Sequence, residues 1–330
     1  MSHSTPSANR PARRSTARTA VTVVASLTSA ALVAATSFGF FAKDAGAATT
    51  PASNVTPTAS TPTDGVTRTI DMTDGLKITV NERGHQRTTA VLVLHGGGGP
   101  HTVIGFSAAM AENSFVITPT HPGFDGTPRP DWTNSMADLA ETYLDLIEKL
   151  HVRHVLVVGS SFGAWIGSEM ALRDTRHRIT GMVLLDGVAI APEPPVQIGD
   201  PAKLGPAKTA ELAFYNPALR PDPSKLTEAQ KATAAANQQT TALYSGPTLS
   251  DPKLQRRLHR VLTPVLVLAG EEDGIAPLPY QHALADSFPN STFQSVPEAG
   301  HFPHIEQPEL VLNAVHNFTT TKIKPPRTQK

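Results

Sequence analysis

Short, wholly apolar runs alternate with longer amphipathic stretches through the central and C-terminal parts of this 330-residue chain. Val66 to Met72 and Leu76 to Asn81 alternate polar and apolar residues around Asp74-Gly75, which predicts a hairpin. Ala90 to Leu94 is continuously apolar, the pattern of a strand buried on both faces. Val103 to Glu112 predicts a helix, Phe115 to Pro119 a strand, and Thr120 to Trp132 a Pro/Gly loop. From Ser135 to Leu150, Met136, Leu139, Ala140, Tyr143, Leu146, Ile147 and Leu150 share one face at helical spacing. The apolar run His154 to Val158 comes next, then Gly159–Gly163, then a predicted helix from Ala164 to Arg173. Thr180–Leu185 and Val265–Leu268 predict two further strands, and Pro279–Ser287 a helix. Thr292–Val296 and Pro308–Phe318 predict the last strand and the last helix. Strands alternating with helices in this way imply a mostly parallel sheet with helices on both faces.

Residues 188–262 interrupt the alternation. They are Pro-rich at first, then polar and Ala/Gln-rich, with helical stretches near Glu211 and over Ser224–Tyr244. Structureless loops longer than 12–15 residues are uncommon, so the stretch predicts a helical cap over the C-terminal edge of the sheet. Within it, Phe214, Tyr215 and Tyr244 either face a pocket or pack the cap to the core. The core then comprises residues 66–187 and 263–322, with a tail over 323–330.

The N-terminus has another character. Residues 1–19 carry Arg10, Arg13, Arg14 and Arg18 and no acid; Ala20 to Ala42 holds no charge; Ala45-Gly46-Ala47 presents small residues at a cleavage position. Together these predict a secretory signal peptide over 1–47. The uncharged run is also long enough to span a bilayer, so an uncleaved anchor is the alternative. Either way the expectation is export, to the medium or the cell envelope. Residues 48–65, rich in Thr, Pro, Ala and Ser, read as a disordered linker.

Charge changes with that division. The whole chain is neutral, with 28 basic and 28 acidic residues; without residues 1–47 the counts are 23 and 27, a net of −4. No basic patch points to nucleic acid. The absence of cysteine removes a thiol nucleophile, iron–sulfur ligation and lipid attachment at cysteine. His95, His101 and His121 lack metal-ligand spacing, and no His-Glu-x-x-His occurs, so no metal and no cofactor are expected.

Four pieces carry chemistry. Gly159-Ser160-Ser161-Phe162-Gly163 between strand and helix matches a nucleophile elbow, with Ser161 on the sharp turn. A serine hydroxyl needs a base, and the base an orienting acid. His301, in Gly300-His301 after the last strand, is the candidate base, with His304 as a rival. Asp273, in Gly270-Glu271-Glu272-Asp273, is the candidate acid, with Asp186 as a second contender. The order Ser…Asp…His suits the elbow. The run His95-Gly96-Gly97-Gly98-Gly99 follows the strand ending at Leu94. A backbone N–H there, Gly97 by preference or Gly98, would pair with that of Phe162 as an oxyanion hole. The glycine run lacks the Lys-Ser/Thr of a P-loop and the spacing of a dinucleotide fingerprint.

These segments, with Leu94-His95-Gly96-Gly97, Pro122-Gly123-Phe124-Asp125-Gly126 and Gly300-His301-Phe302-Pro303, resemble the α/β-hydrolase superfamily, in its branch of capped serine hydrolases. The resemblance runs from about Val66 to Phe318 outside the cap. It implies an eight-stranded, mostly parallel sheet and a Ser161-Asp273-His301 triad. The chain departs from the family at Asp125, where glycine is usual. Serine at the elbow disfavours the dehalogenase and epoxide hydrolase branches, which use aspartate. The implied partner is a small-molecule acyl substrate: a small or medium ester, with carbon–carbon bond hydrolysis or a catalytically silent binding role as alternatives.

Overall fold

The computed structural model describes residues 65–85, 87–246 and 248–323. The expected leader over 1–47, the linker over 48–65 apart from Gly65, and the tail over 323–330 apart from Ile323 lie outside them. Eight strands form one sheet: β1 (Val66–Asp71), β2 (Lys77–Arg83), β3 (Thr89–Leu94), β4 (Val116–Pro119), β5 (His154–Ser160), β6 (Ile179–Leu185), β7 (Val265–Gly270) and β8 (Ser291–Val296). Their spatial order is β1-β2-β4-β3-β5-β6-β7-β8. Only β2 runs antiparallel to its neighbours; the pairs from β4 through β8 are parallel. The mostly parallel eight-stranded sheet expected from the sequence is the one present.

Helices α1 (Ile104–Met110), α2 (Met136–Lys149), α3 (Phe162–Arg173), α7 (Leu278–Asp286), α8 (Pro303–Glu306) and α9 (Pro308–Lys322) accompany the sheet. The two-residue side-chain period of each central strand divides the core between the two faces. Leu92, Leu94, Val155, Val157, Met182, Leu184, Val265 and Val267 pack with α2, α3 and α7. The intervening Val91, Val93, Leu156, Val158, Val183, Leu185, Leu266 and Leu268 pack with α1 and α9. Continuous apolar strands are required because both faces are covered. Helix α2 buries the stripe read from the sequence, and its N-terminus is closed by a capping box between Ser135 and Asp138.

The observed ends differ from the expected ones for local reasons. Strand β5 runs to Ser160 and α3 starts at Phe162, so the elbow is a single residue. Helix α9 continues a turn beyond Phe318, where Thr319, Thr320 and Thr321 donate their hydroxyls back to the His316 and Asn317 carbonyls.

Between β6 and β7 the chain forms α4 (Pro201–Ala213), α5 (Glu228–Ser245) and α6 (Pro252–Gln255) with short 3-10 turns. Helix α4 bends at Gly205-Pro206, where Gly205 has φ 74°. Phe214 packs against Phe302, with ring centroids 5.0 Å apart, while Tyr215 is exposed. Tyr244 is buried and donates its hydroxyl to the Pro122 carbonyl at 3.1 Å. Among the described residues no helix is long and apolar enough to cross a membrane.

Strand order reverses around β3: β4 lies to one side of it and β5 to the other. A crevice opens beyond the carboxyl ends of the strands at such a switch point. The loop after β3 and the turn after β5 both enter it.

Candidate active site

Ser161 occupies that turn with φ 51° and ψ −115°, a backbone conformation costly for a residue with a side chain. Two close backbone approaches hold it. A Cβ added to Gly159 would lie 2.4 Å from the Gly163 carbonyl oxygen, and one added to Gly163 would lie 2.2 Å from the Leu94 carbonyl oxygen. No larger residue fits at either position, so the turn presses directly on the end of β3. The Ser161 N–H donates to Leu185 O at 2.9 Å, and its carbonyl receives the Ala164 and Val188 N–H groups. Phe162 opens α3, where the first N–H groups have no partner within the helix.

Asp273 and His301 lie on loops after β7 and β8, and both are buried. His301 Nδ1 donates to Asp273 Oδ2 at 2.8 Å. Asp273 Oδ1 receives the Ile275 and Ala276 N–H groups at 2.7 and 3.1 Å. Burial opposes a charge on Asp273, but the His301 ring and its hydrogen bond outweigh it and hold the acid below its ordinary pKa. The histidine loop is tied on both sides: the His301 N–H donates to Ala213 O at 2.8 Å, and the Gly300 N–H to Glu306 Oε2 at 2.7 Å.

The two rivals are occupied elsewhere. Asp186, fully buried at the end of β6, accepts from the Gly270 N–H at 3.0 Å. Burial, then the adjacent Asp273 charge, pushes its pKa well above the ordinary carboxylate value. Of the two neighbouring acids, the charge is favoured on Asp273 and disfavoured on Asp186. His304 donates Nε2–H to the Thr102 carbonyl at 2.9 Å, and burial lowers its pKa to about 4. Asp186, Asp273 and His301 bring one ligand-type atom each within 4.8 Å of one another, the one such grouping among the described residues. Two of the three are bonded to each other: Nδ1 of His301 gives its proton to Asp273 Oδ2, and Asp273 Oδ1 accepts from two amides, while Asp186 Oδ2 has no hydrogen-bond partner among the described residues.

His95 is a structural anchor, and its tautomer follows from its partners. Nε2 accepts from the His121 N–H at 3.1 Å, so the proton sits on Nδ1 and is donated to Gly96 O at 2.7 Å. His121 donates Nε2–H to His95 O at 2.9 Å and receives the Tyr143 hydroxyl on Nδ1 at 2.5 Å. The two rings stack with centroids 3.6 Å apart. Burial lowers the His121 pKa to about 3 and that of His95 well below its ordinary value. Both rings are therefore neutral, as a network with every ring nitrogen engaged requires.

Above this loop lies α5. A Cβ on Gly97 would meet Thr241 Oγ1 at 3.1 Å. Asn237, only 2% exposed, bonds to Asp125 and to Gly98 O. Neither residue of this second layer was legible beforehand. Asn237 sits beside Gln238 and Gln239 with no spacing to distinguish it, and His121 carried no signal beyond following a strand.

The arrangement thus offers a half-buried turn carrying a hydroxyl, a buried imidazole–carboxylate pair and a pinned glycine loop. A family model described as the alpha/beta hydrolase family matches residues 91–314. The chain is 24% identical over 245 residues to a 2-hydroxymuconate semialdehyde hydrolase of Pseudomonas putida, covering 69% of this chain and 85% of that one. It is 24% identical over 213 residues to 3-oxoadipate enol-lactonase 2 of Acinetobacter baylyi, covering 63% and 79%. Among solved structures, carboxylesterase CesB of Bacillus subtilis superposes with a TM-score of 0.63 at 18% identity, over 79% of this chain and 94% of that one.

Proposed function

Because the chain belongs to the α/β hydrolase family, we propose that it is a serine hydrolase that cleaves a small or medium ester, or a related acyl compound, through an acyl-enzyme. Ser161 attacks the carbonyl carbon while His301 Nε2 takes the hydroxyl proton. The C–O bond then breaks and the leaving alcohol receives that proton. Water repeats the sequence on the acyl-enzyme and frees the acid. Asp273 fixes the imidazole through Nδ1–H and stabilises its cationic form. The Gly97 and Phe162 N–H groups hold the oxyanion, each worth ~3–4 kcal/mol in the transition state.

The observation that carries this reading is the buried His301–Asp273 bond of 2.8 Å on the same sheet edge as Ser161 at φ 51°. A lactone is a cyclic ester, so the enol-lactonase relative supports the same substrate class. A fluorophosphonate tests it: the folded protein labels, and Ser161→Ala neither labels nor turns over p-nitrophenyl acetate above about a thousandth of the parent rate. A folded parent protein that does not label sinks the reading, and leaves the silent binding role in its place.

The semialdehyde hydrolase relative favours a second reading, cleavage of a carbon–carbon bond in a vinylogous diketone by the same residues. Rates on such a diketone and on p-nitrophenyl acetate, compared directly, separate the two. Export is part of the proposal and rests on residues 1–47. Its test is the N-terminal sequence of protein recovered from the medium and from membranes; a mature chain starting near residue 48 supports cleavage, and an intact leader in membranes supports the tether.

A further inference from the structure

Four consecutive glycines are a poor way to aim an N–H group. Gly96–Gly99 have more backbone freedom than any other residue type, so an oxyanion donor within them needs outside restraint. From below, His95 Nδ1–H holds Gly96 O, and the Gly99 N–H donates to the same oxygen at 3.1 Å. From above, Asn237 Nδ2 donates to Gly98 O at 3.3 Å and to Asp125 Oδ1 at 2.8 Å, while its Oδ1 accepts from the Asp125 N–H at 2.8 Å.

Peptide units are planar and trans, so the C=O and N–H of each point in opposite directions. Holding Gly98 O therefore turns the Gly99 N–H toward Gly96 O. Holding Gly96 O in turn directs the Gly97 N–H the opposite way. We propose that Asn237, carried by cap helix α5, is a positioning residue that aims the Gly97 N–H through these two peptide units. This rests on the reading of Gly97 as the oxyanion donor.

Asp125 gains a reason from the same contact. It has φ 49°, in the left-handed region that favours glycine, and its side chain is the partner of Asn237. The pair closes on the loop itself: a Cβ on Gly99 would lie 2.9 Å from both Asn237 Nδ2 and Asp125 Oδ1. Thr240 Oγ1, bonded to Gly123 O at 3.2 Å, and Tyr244 Oη, bonded to Pro122 O, continue the contact along one face of α5. Seating of the cap and order in the oxyanion loop are thereby one event.

Full-length variants test this with p-nitrophenyl acetate turnover, thermal unfolding, and binding of a trifluoromethyl ketone that adds to Ser161. The parent enzyme must first label with fluorophosphonate; if it does not, the serine hydrolase reading has failed rather than this one. In Asn237→Ala, kcat falls about 10- to 100-fold with KM within about twofold, and the trifluoromethyl ketone weakens by the same factor as kcat/KM. The matching methyl ketone, which does not form a stable tetrahedral adduct, binds as before. Gln238→Ala, on the exposed side of α5, changes none of these. The exchange Asp125→Asn with Asn237→Asp keeps a bonded pair, but the carboxylate introduced at position 237 has no proton for Gly98 O. It keeps the melting temperature and does not recover kcat. Unchanged kcat in folded Asn237→Ala overturns the proposal, and so does full kcat in the exchange variant. The exchange variant decides the matter if Asn237→Ala does not fold.

Discussion

Helices α2 and α5 both open with a capping box, yet they meet the protein through opposite chemistry. Over its 14 residues α2 buries Met136, Leu139, Ala140, Tyr143, Leu146 and Ile147 against the sheet. Over its 18 residues α5 buries Asn237, Tyr244 and Ser245; only Tyr244 joins the apolar core, and Asn237, Thr240 and the Tyr244 hydroxyl bond to loops. Hydrocarbon burial is strong and without direction, about 25 cal/mol per Å². A hydrogen bond exchanged with water adds only about 1 kcal/mol but fixes an angle. One helix is joined to the sheet mainly by hydrocarbon; the other meets its loops mainly through hydrogen bonds.

The hardest test of that contrast is Leu146→Ala. It removes a fully buried side chain from α2 and is expected to cost about 2–5 kcal/mol, read by urea unfolding. Turnover per folded molecule stays at the parent value; a matching loss of kcat would mean that α2 also shapes the site.

A smaller effect uses protons. The one polar reach of α2 into the site is Tyr143 to His121, and it needs a neutral ring. The pKa of His121 falls from an ordinary 6.5 to about 3 on folding. Below pH 6.5 the unfolded chain therefore takes up a proton that the folded chain refuses. Stability from this group is complete above pH 6.5 and is lost as pH falls toward 3. Between pH 7.5 and 5.0 the loss is about 2 kcal/mol. Replacing His121 with Leu lowers stability at both values and removes that share of the pH slope; an unaltered slope would show that the ring takes up its proton equally in the folded and the unfolded chain. The amide and hydroxyls that α5 supplies take up no proton in this range, so Asn237→Ala keeps the parent slope.

The smallest change is Tyr244→Phe, which deletes one hydroxyl bonded to Pro122 O. It should cost about 1 kcal/mol. Because the bond joins α5 to the loop after β4, the loss should appear more in hydrogen exchange of α5 than in global unfolding. Equal protection of α5 in parent and variant would remove Tyr244 from the contact between α5 and that loop.

The same contrast explains what the sequence disclosed. Apolar side chains at regular intervals have one use, so the face of α2 and the eight strands were legible from spacing alone. Ser161, Asp273 and His301 stood out because each follows a strand in a fixed order; of the contacts that order implies, the structure shows the bond from His301 to Asp273. The polar face of α5 was not. Asn, Gln and Thr serve equally well on a solvated surface, and what distinguishes Asn237 is a partner 112 residues away. His121 was weighed only for metal spacing, whereas its value lies in two neutral rings and a tyrosine meeting at the end of a strand. Asp125 was noticed as a departure, and its reason became visible only with α5 in place.

Gly163 lies so close to the end of β3 that a single added carbon would collide with Leu94 O. The spacing between the elbow and the glycine loop is consequently a main-chain dimension, set by the thickness of two backbones. Side chains can drift, or be exchanged for others of similar bulk, without resetting that gauge. Exchanges within residues 188–262 accordingly leave the distance between those two backbones unaltered, whatever they do to the aim of a single N–H group.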